Sequence, residues 1–185
     1  MNLMSVVVRR ALHICLITGA VVTVAPSAQA NHGTAPQGWP DNSNQYVDRH
    51  SLGPDAEISV ARGIAQLNRS VLKVTLTGSG DIDVYDGNYG DTGWDGQTRC
   101  TDKVASTWLW QHHCDVFTIK FNTYATASYS TFKSQVIGCH EFGHTAGLDH
   151  RAASNDSSQI SCMRGSGYLS TVLDQHDLDV INDHF

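Results

Sequence analysis

The sequence predicts an α+β fold in a single domain, and three features predict it. Val60, Ala61, Ile64 and Leu67 recur at helical spacing after Pro54-Asp55, the stripe of an amphipathic helix over residues 54–69. Phe117, Ile119 and Phe121 alternate with polar neighbours, the period of a half-buried strand. Ser128, Ser130 or Thr131 can then cap a second helix that carries Phe132, Val136 and Ile137 into the run His140-Glu141-Phe142-Gly143-His144.

The elements follow in order. Residues 1–30 carry Arg9 and Arg10, a mostly apolar run over residues 11–25, and Ala28-Gln29-Ala30, the A-x-A pattern of a signal-peptide cleavage site. The apolar run is too short to span a bilayer comfortably, and no later stretch is long enough for a membrane span. A signal peptide over 1–30 and a folded domain over 31–185 are therefore expected, with export to the extracellular space. Residues 31–53 are rich in Asn, Gly, Pro and His and read as an arm with a short strand at Gln45-Tyr46-Val47. Within the first helix Gly63 costs up to about 1 kcal/mol against alanine. Leu72, Val74 and Leu76, then Ile82 and Val84, mark two strands. Residues 86–101 are dense in Asp-Gly, Asn-Tyr-Gly and Thr-Gly-Trp-Asp-Gly and read as turns. After residue 150 a polar loop leads to Cys162-Met163, and a last helix over residues 174–183 turns Leu178 and Ile181 inward and leaves His176 and His184 on a solvated face.

Charge and cysteine usage narrow the function classes. Losing Arg9 and Arg10 with the leader leaves 10 basic against 18 acidic residues and moves the formal charge from −6 to −8. Such a chain repels phosphate backbones, so no nucleic-acid partner is expected, and a monomer is the expected state. Cys15 departs with the leader, leaving Cys100, Cys114, Cys139 and Cys162, an even count that suits two disulfides in an oxidising compartment. Four cysteines allow three pairings. Cys100–Cys114 and Cys139–Cys162 are preferred: the first closes a local loop, and the second ties the residue before His140 to the segment holding Met163. Loops of these lengths are worth about 3 kcal/mol each in the chain-entropy account.

The chemistry concentrates in His140-Glu141-Phe142-Gly143-His144-Thr145-Ala146-Gly147-Leu148-Asp149-His150, which reads H-E-x-x-H-x-x-G-x-x-H. Its five fixed positions would coincide by chance in a chain of this length at on the order of 10⁻⁵. Residues four apart on a helix share one face, so His140 and His144 can reach one ion at the roughly 2.0–2.1 Å of zinc–nitrogen bonds. Gly147 accepts the positive φ that ends a helix, letting the chain return His150 as third ligand. Three protein ligands leave a fourth position for water, and Glu141, rotated off the ligand face, suits a general base. The acids Asp81, Asp83, Asp86, Asp91 and Asp95 offer oxygen donors that suit calcium, but lack EF-hand spacing and also suit turns. His112 and His113 would need further partners to make a second metal site.

On these residues the chain resembles the metzincin zinc metalloproteases, most closely small secreted bacterial members of the matrixin-like and snapalysin-like kind. The resemblance implies a zincin-like fold: a twisted, mostly parallel sheet with an antiparallel edge strand, an active-site helix, and a small C-terminal subdomain with a methionine turn and a closing helix. It implies a zinc endopeptidase acting on protein or peptide substrates, with His140, His144 and His150 as ligands, Glu141 as general base and acid, and Met163 as the methionine of the turn. It also implies that substrate lies extended along an edge strand preceding the active-site helix, for which residues 115–124 are the expected supplier. The chain departs from its relatives in three ways. Snapalysins are expected to use aspartate where His150 stands. No cysteine-bearing propeptide segment is evident before the domain. The tyrosine found two residues past the methionine in some metzincins is missing, and Tyr168, five past Met163, is the candidate to line the pocket. A non-catalytic zinc module and a zinc amidase are the competing classes. Glu141 argues against the first, since a structural site has no use for a carboxylate beside an open coordination position, and the G-x-x-H extension argues against the second.

Overall fold

A computed structural model describes residues 35–104, 113–151, 160–165 and 170–185. Ten elements occur along them: β1 (Trp39–Pro40), β2 (Asn44–His50), α1 (Pro54–Leu67), β3 (Lys73–Leu76), β4 (Ile82–Gly87), β5 (Gly96–Val104), β6 (His113–Asn122), α2 (Thr123–Thr126), α3 (Thr131–Thr145) and α4 (Gln175–His184). No helix among the described residues is long and apolar enough to cross a membrane.

Strands with β-branched and aromatic residues at alternate positions pair into one six-stranded sheet in the order β3-β2-β4-β6, with β5 beyond β6 and the short β1 against the start of β6. Every pairing is parallel except β5 with β6, which is antiparallel and irregular between Cys100 and Lys103. Parallel neighbours need crossovers, and α1 supplies the one from β2 to β3. One face of the sheet is apolar: Val47, Val74, Ile82, Val84, Phe117, Ile119 and Phe121 are all buried. Val60 and Leu67 of α1 and Val136, Ile137 and Phe142 of α3 cover it in one continuous core.

The two helices meet closely enough to explain Gly63. A Cβ at that position would stand 2.2 Å from Cδ2 of Phe142, so the residue that costs helix propensity admits an aromatic ring from α3. The hydroxyl of Ser59 donates to the carbonyl of Ser134 across the same interface at 2.8 Å. Of the expected stripes, Ala61 and Phe132 face solvent instead, Phe132 at 49% exposure.

Three expectations need correction. The short strand expected at Gln45-Tyr46-Val47 is present but longer, as β2, and is paired on both sides rather than lying in an arm, its polar composition reflecting a sheet face turned to solvent. The stretch over residues 86–101, read as turns, begins with Asp86-Gly87 at the end of β4 and ends in β5, whose exposed positions lack the hydrophobic alternation that marks buried strands. Residues 115–124 do not form an edge. β6 is hydrogen-bonded to β4 on one side and β5 on the other, so its backbone groups are already used, and β5 is the outer strand.

Candidate metal centre

Ser130 caps α3, its hydroxyl accepting from the Lys133 amide, and the helix carries His140 and His144 on one face. It stops at Gly147, whose φ of 82° is the left-handed conformation that closes helices. The freed carbonyls are answered locally: Gly147 N donates to His144 O and Leu148 N to Gly143 O. Trp39 packs so tightly on this turn that a Cβ at Gly147 would lie 2.3 Å from its ring.

The turn returns His150 to the helix. Nε2 of His140 stands 3.0 Å from Nε2 of His150 and 3.2 Å from Nε2 of His144. His140 Nδ1 faces the Cys162 carbonyl at 2.7 Å, and His144 Nδ1 faces the Leu148 carbonyl at 2.8 Å. A carbonyl can only accept, so each Nδ1 carries its hydrogen and each Nε2 presents a lone pair, the tautomer a metal requires. Ligands at the zinc–nitrogen distance around a tetrahedral ion sit about 3.3 Å apart. The lone pairs of His140 and His144 that face each other at 3.2 Å cannot satisfy one another, and a cation shared with His150 Nε2 fits both the spacing and the donor chemistry. Burial pushes His140 below the usual histidine range against the opposing Cys162 hydrogen bond, and burial followed by His140 does the same for His150. Both shifts favour the unprotonated, ligating form.

Glu141 lies beside this group, almost wholly buried. Desolvation raises its carboxyl to about 7; the Thr98 hydrogen bond and the charge of His150 oppose the rise, and Asp95 adds to it. The Thr98 hydroxyl is 2.6 Å from Glu141 Oε2 and 3.0 Å from its backbone carbonyl. Gln37 donates to the Thr98 carbonyl at 3.0 Å, tying the segment before β1 to β5. A cleft of about 490 Å³ opens over the three histidines and Glu141, with Trp94, Gly96, Thr98 and Arg99 along one wall.

The floor of the centre is a second segment. Met163 is fully buried, and a Cβ at Gly143 would stand 2.2 Å from its sulfur, so this side chain lies directly under the helical turn between His140 and His144. Cys162 is bonded to Cys139 with Cα atoms 6.0 Å apart, and Cys100 to Cys114 at 5.7 Å, both ordinary Cα separations for a disulfide. The first bond fixes the carbonyl that orients His140. A buried polar chain holds the rest. Ser161 receives the Met163 amide at 2.9 Å and donates to Asp177 at 2.5 Å; Arg151, next to His150, pairs with Asp174 and approaches Asp177 at 3.6 Å.

Sequence reasoning located His140, Glu141, His144, His150 and Met163, and the structure brings all five to one place. It missed Thr98, hidden in a stretch read as turns, and Gln37, in the presumed arm. Arg151 also escaped notice, although a charged residue directly after a ligand was a visible signal. The Asp174-x-x-Asp177 spacing is likewise legible, because the two side chains form a capping box at the start of α4. Tyr168 lies outside the described residues, as do Trp108, Trp110 and His112.

The proposed calcium group is not assembled. Asp81 accepts from the Tyr46 amide, Asp86 from the Gly53 amide and Asp95 from the Tyr129 hydroxyl, so these carboxylates serve separate local bonds. Among the described residues the groups close enough to share an ion are His140–His144–His150 and Asp48–His50–Asp83. His184 is not on a solvated face either: its ring stacks on Trp39 at 3.9 Å, and burial followed by His113 holds it below the usual histidine range.

No protein-family model matches the chain, and no curated protein sequence matches it. A solved structure of myroilysin is similar to it with a TM-score of 0.50 at 13% sequence identity, over 82% of this chain and 97% of that chain. At that identity the likeness is one of fold. A mixed α/β layout with a mostly parallel sheet, and a three-histidine group able to bind a metal ion, support the zincin-like fold that the histidine motif led us to expect.

Proposed function

We propose that this chain is a secreted zinc endopeptidase. The observation that carries the reading is the convergence of three Nε2 atoms of His140, His144 and His150 beside the buried carboxylate of Glu141, in one open cleft. The fold likeness to myroilysin agrees with it.

His140, His144 and His150 hold the ion. When bound, zinc supplies Lewis acidity, polarising the scissile carbonyl and making water acidic enough to ionise near neutral pH. Glu141 accepts the attacking water's proton on its carboxylate and delivers it to the departing amine, acting as general base and then general acid. Thr98 occupies one carboxylate oxygen, which orients the other toward the cleft. Met163 supports the ligands from below, in the role of the methionine turn that the resemblance implies. The substrate chain lies extended along β5 rather than along residues 115–124, adding main-chain hydrogen bonds at the free side of the outer strand. Residues 1–30 act as the signal peptide, residues 31–185 form the secreted domain, and the enzyme works as a monomer.

The test is casein clearing by purified protein with and without a chelator, alongside Glu141→Gln. Chelation is expected to abolish clearing and zinc to restore it. The variant is expected to keep one zinc and lose activity by at least about 10²-fold, the scale of general-base catalysis. Wild-type turnover from Glu141→Gln would refute its role, and clearing in excess chelator would refute the metal's.

A further inference from the structure

The sheet face turned away from α1 and α3 carries a group unrelated to the cleft. Val47, Ile82 and Val84 point into the core, so their neighbours on β2 and β4 point outward. The register places Asp48 directly opposite Asp83 and His50 directly opposite Tyr85. Like charges facing each other across neighbouring strands destabilise a sheet. His50 Nε2 is 3.1 Å from Asp83 Oδ1 and 3.6 Å from Asp48 Oδ2. The His50 ring lies flat against Tyr85, centroids 4.2 Å apart and planes 5° from parallel, which holds that nitrogen toward both carboxylates.

We propose that Asp48, His50 and Asp83 bind a second divalent cation of the zinc class, which clamps β2 to β4. One ligand atom from each residue lies within 4.8 Å of the others. The two measured nitrogen–oxygen separations bracket the roughly 3.3 Å expected between neighbouring ligands on a tetrahedral ion of zinc size. As a bare ion pair, His50 answers one carboxylate at a time and leaves two acids opposed; a cation converts that opposition into bonding. One imidazole with two carboxylates selects zinc or its first-row neighbours over calcium, which takes six to eight oxygens. All three residues keep part of their surface in solvent, with the His50 side chain 36% exposed, so an ion can enter and water can complete the coordination. The scaffold is rigid. Two of the ligands sit two residues apart on one strand, and the third is fixed by the ladder.

The test counts zinc per chain. Purified protein stripped of metal is titrated with zinc chloride alone, desalted and assayed for bound zinc, for the wild type, His50→Ala, Asp83→Asn and His144→Ala. The wild type is expected to hold two equivalents, one per group, and each variant one. His50→Ala and Asp83→Asn are expected to clear casein as the wild type does, while losing the upward shift in melting temperature that the second equivalent produces. Zinc content unchanged by both His50→Ala and Asp83→Asn would overturn the proposal. Should the wild type hold a single equivalent, its loss in His144→Ala alone would also overturn this site and leave the catalytic reading standing. Its loss in His50→Ala alone would support this site and sink the catalytic one.

Discussion

Thr98 has one hydroxyl hydrogen and two oxygen atoms of Glu141 within reach, and the carboxylate contact at 2.6 Å is the shorter. A charge-assisted bond of that length fixes the carboxylate plane and opposes the burial that raises its pKa. Replacing Thr98 by Val keeps the β-branched shape and removes the donor. We expect zinc content and the melting temperature to stay near wild type while kcat falls about 10- to 100-fold, the scale seen when partners behind a metal site are removed. A Thr98→Val enzyme with undiminished kcat would show that Glu141 is positioned by the helix alone. Gly143 belongs to the same scale of argument. It was a variable position of the motif, yet only the absent Cβ lets the Met163 sulfur reach the ligand helix.

At the scale of elements, α4 anchors the backbone that follows His150. Asp174 caps α4 and Asp177 completes the capping box, and these two acids also take the guanidinium of Arg151, whose backbone follows His150. Ser161 joins the network to the turn bearing Met163, and Arg151 N donates to the Met163 carbonyl at 2.8 Å. α4, the residue after His150 and the segment bearing Met163 therefore share one buried polar network. Arg151 is 6% exposed and Asp177 fully buried. Arg151→Met leaves the acids without their cation and is expected to cost about 3–5 kcal/mol, the scale of a broken buried pair. Chemical denaturation measures the loss, and a change below about 1 kcal/mol would mean that the acids find water instead. The pairing of α1 with α3 works on the same principle of enforced geometry, since Gly63 sets how deeply Phe142 enters and thereby where the helix bearing His140 and His144 lies.

For the whole molecule, an ion between the three histidines would join α3 to the loop that returns after Gly147. α3 supplies two histidines, and the returning loop supplies the third, its backbone bonded to the segment that Cys162 anchors. An ion bound only by the folded chain stabilises it by mass action, by about 4 kcal/mol when free zinc exceeds its dissociation constant a thousandfold. Thermal melts with and without a chelator should therefore differ, with the metal-free protein melting several degrees lower. Coincident melts would show that the histidines do not hold an ion under those conditions.

Helices α1, α3 and α4, the best strand, the cysteine pairs and the four residues His140, Glu141, His144 and His150 were legible in the chain because each depends on local spacing, whereas the short α2 was not. Periodicity of 3.6 or 2 residues reports a buried face, and H-E-x-x-H-x-x-G-x-x-H is contiguous, so one helix and one glycine turn suffice to build the ligand set. Thr98, Gln37, Arg151 and the Asp48–His50–Asp83 group were not legible in that way. Their partners lie far along the sequence, and strand register and sheet order bring them together. The edge strand illustrates the same limit: the alternation of Phe117, Ile119 and Phe121 marks a buried strand, yet whether a strand is central or outer depends on which others pair with it. Local spacing thus determined the three histidines and Glu141 by itself, while long-range packing decided that Thr98 meets Glu141 and the Cys162 carbonyl meets His140, because hydrogen bonds between distant segments leave no period in the sequence.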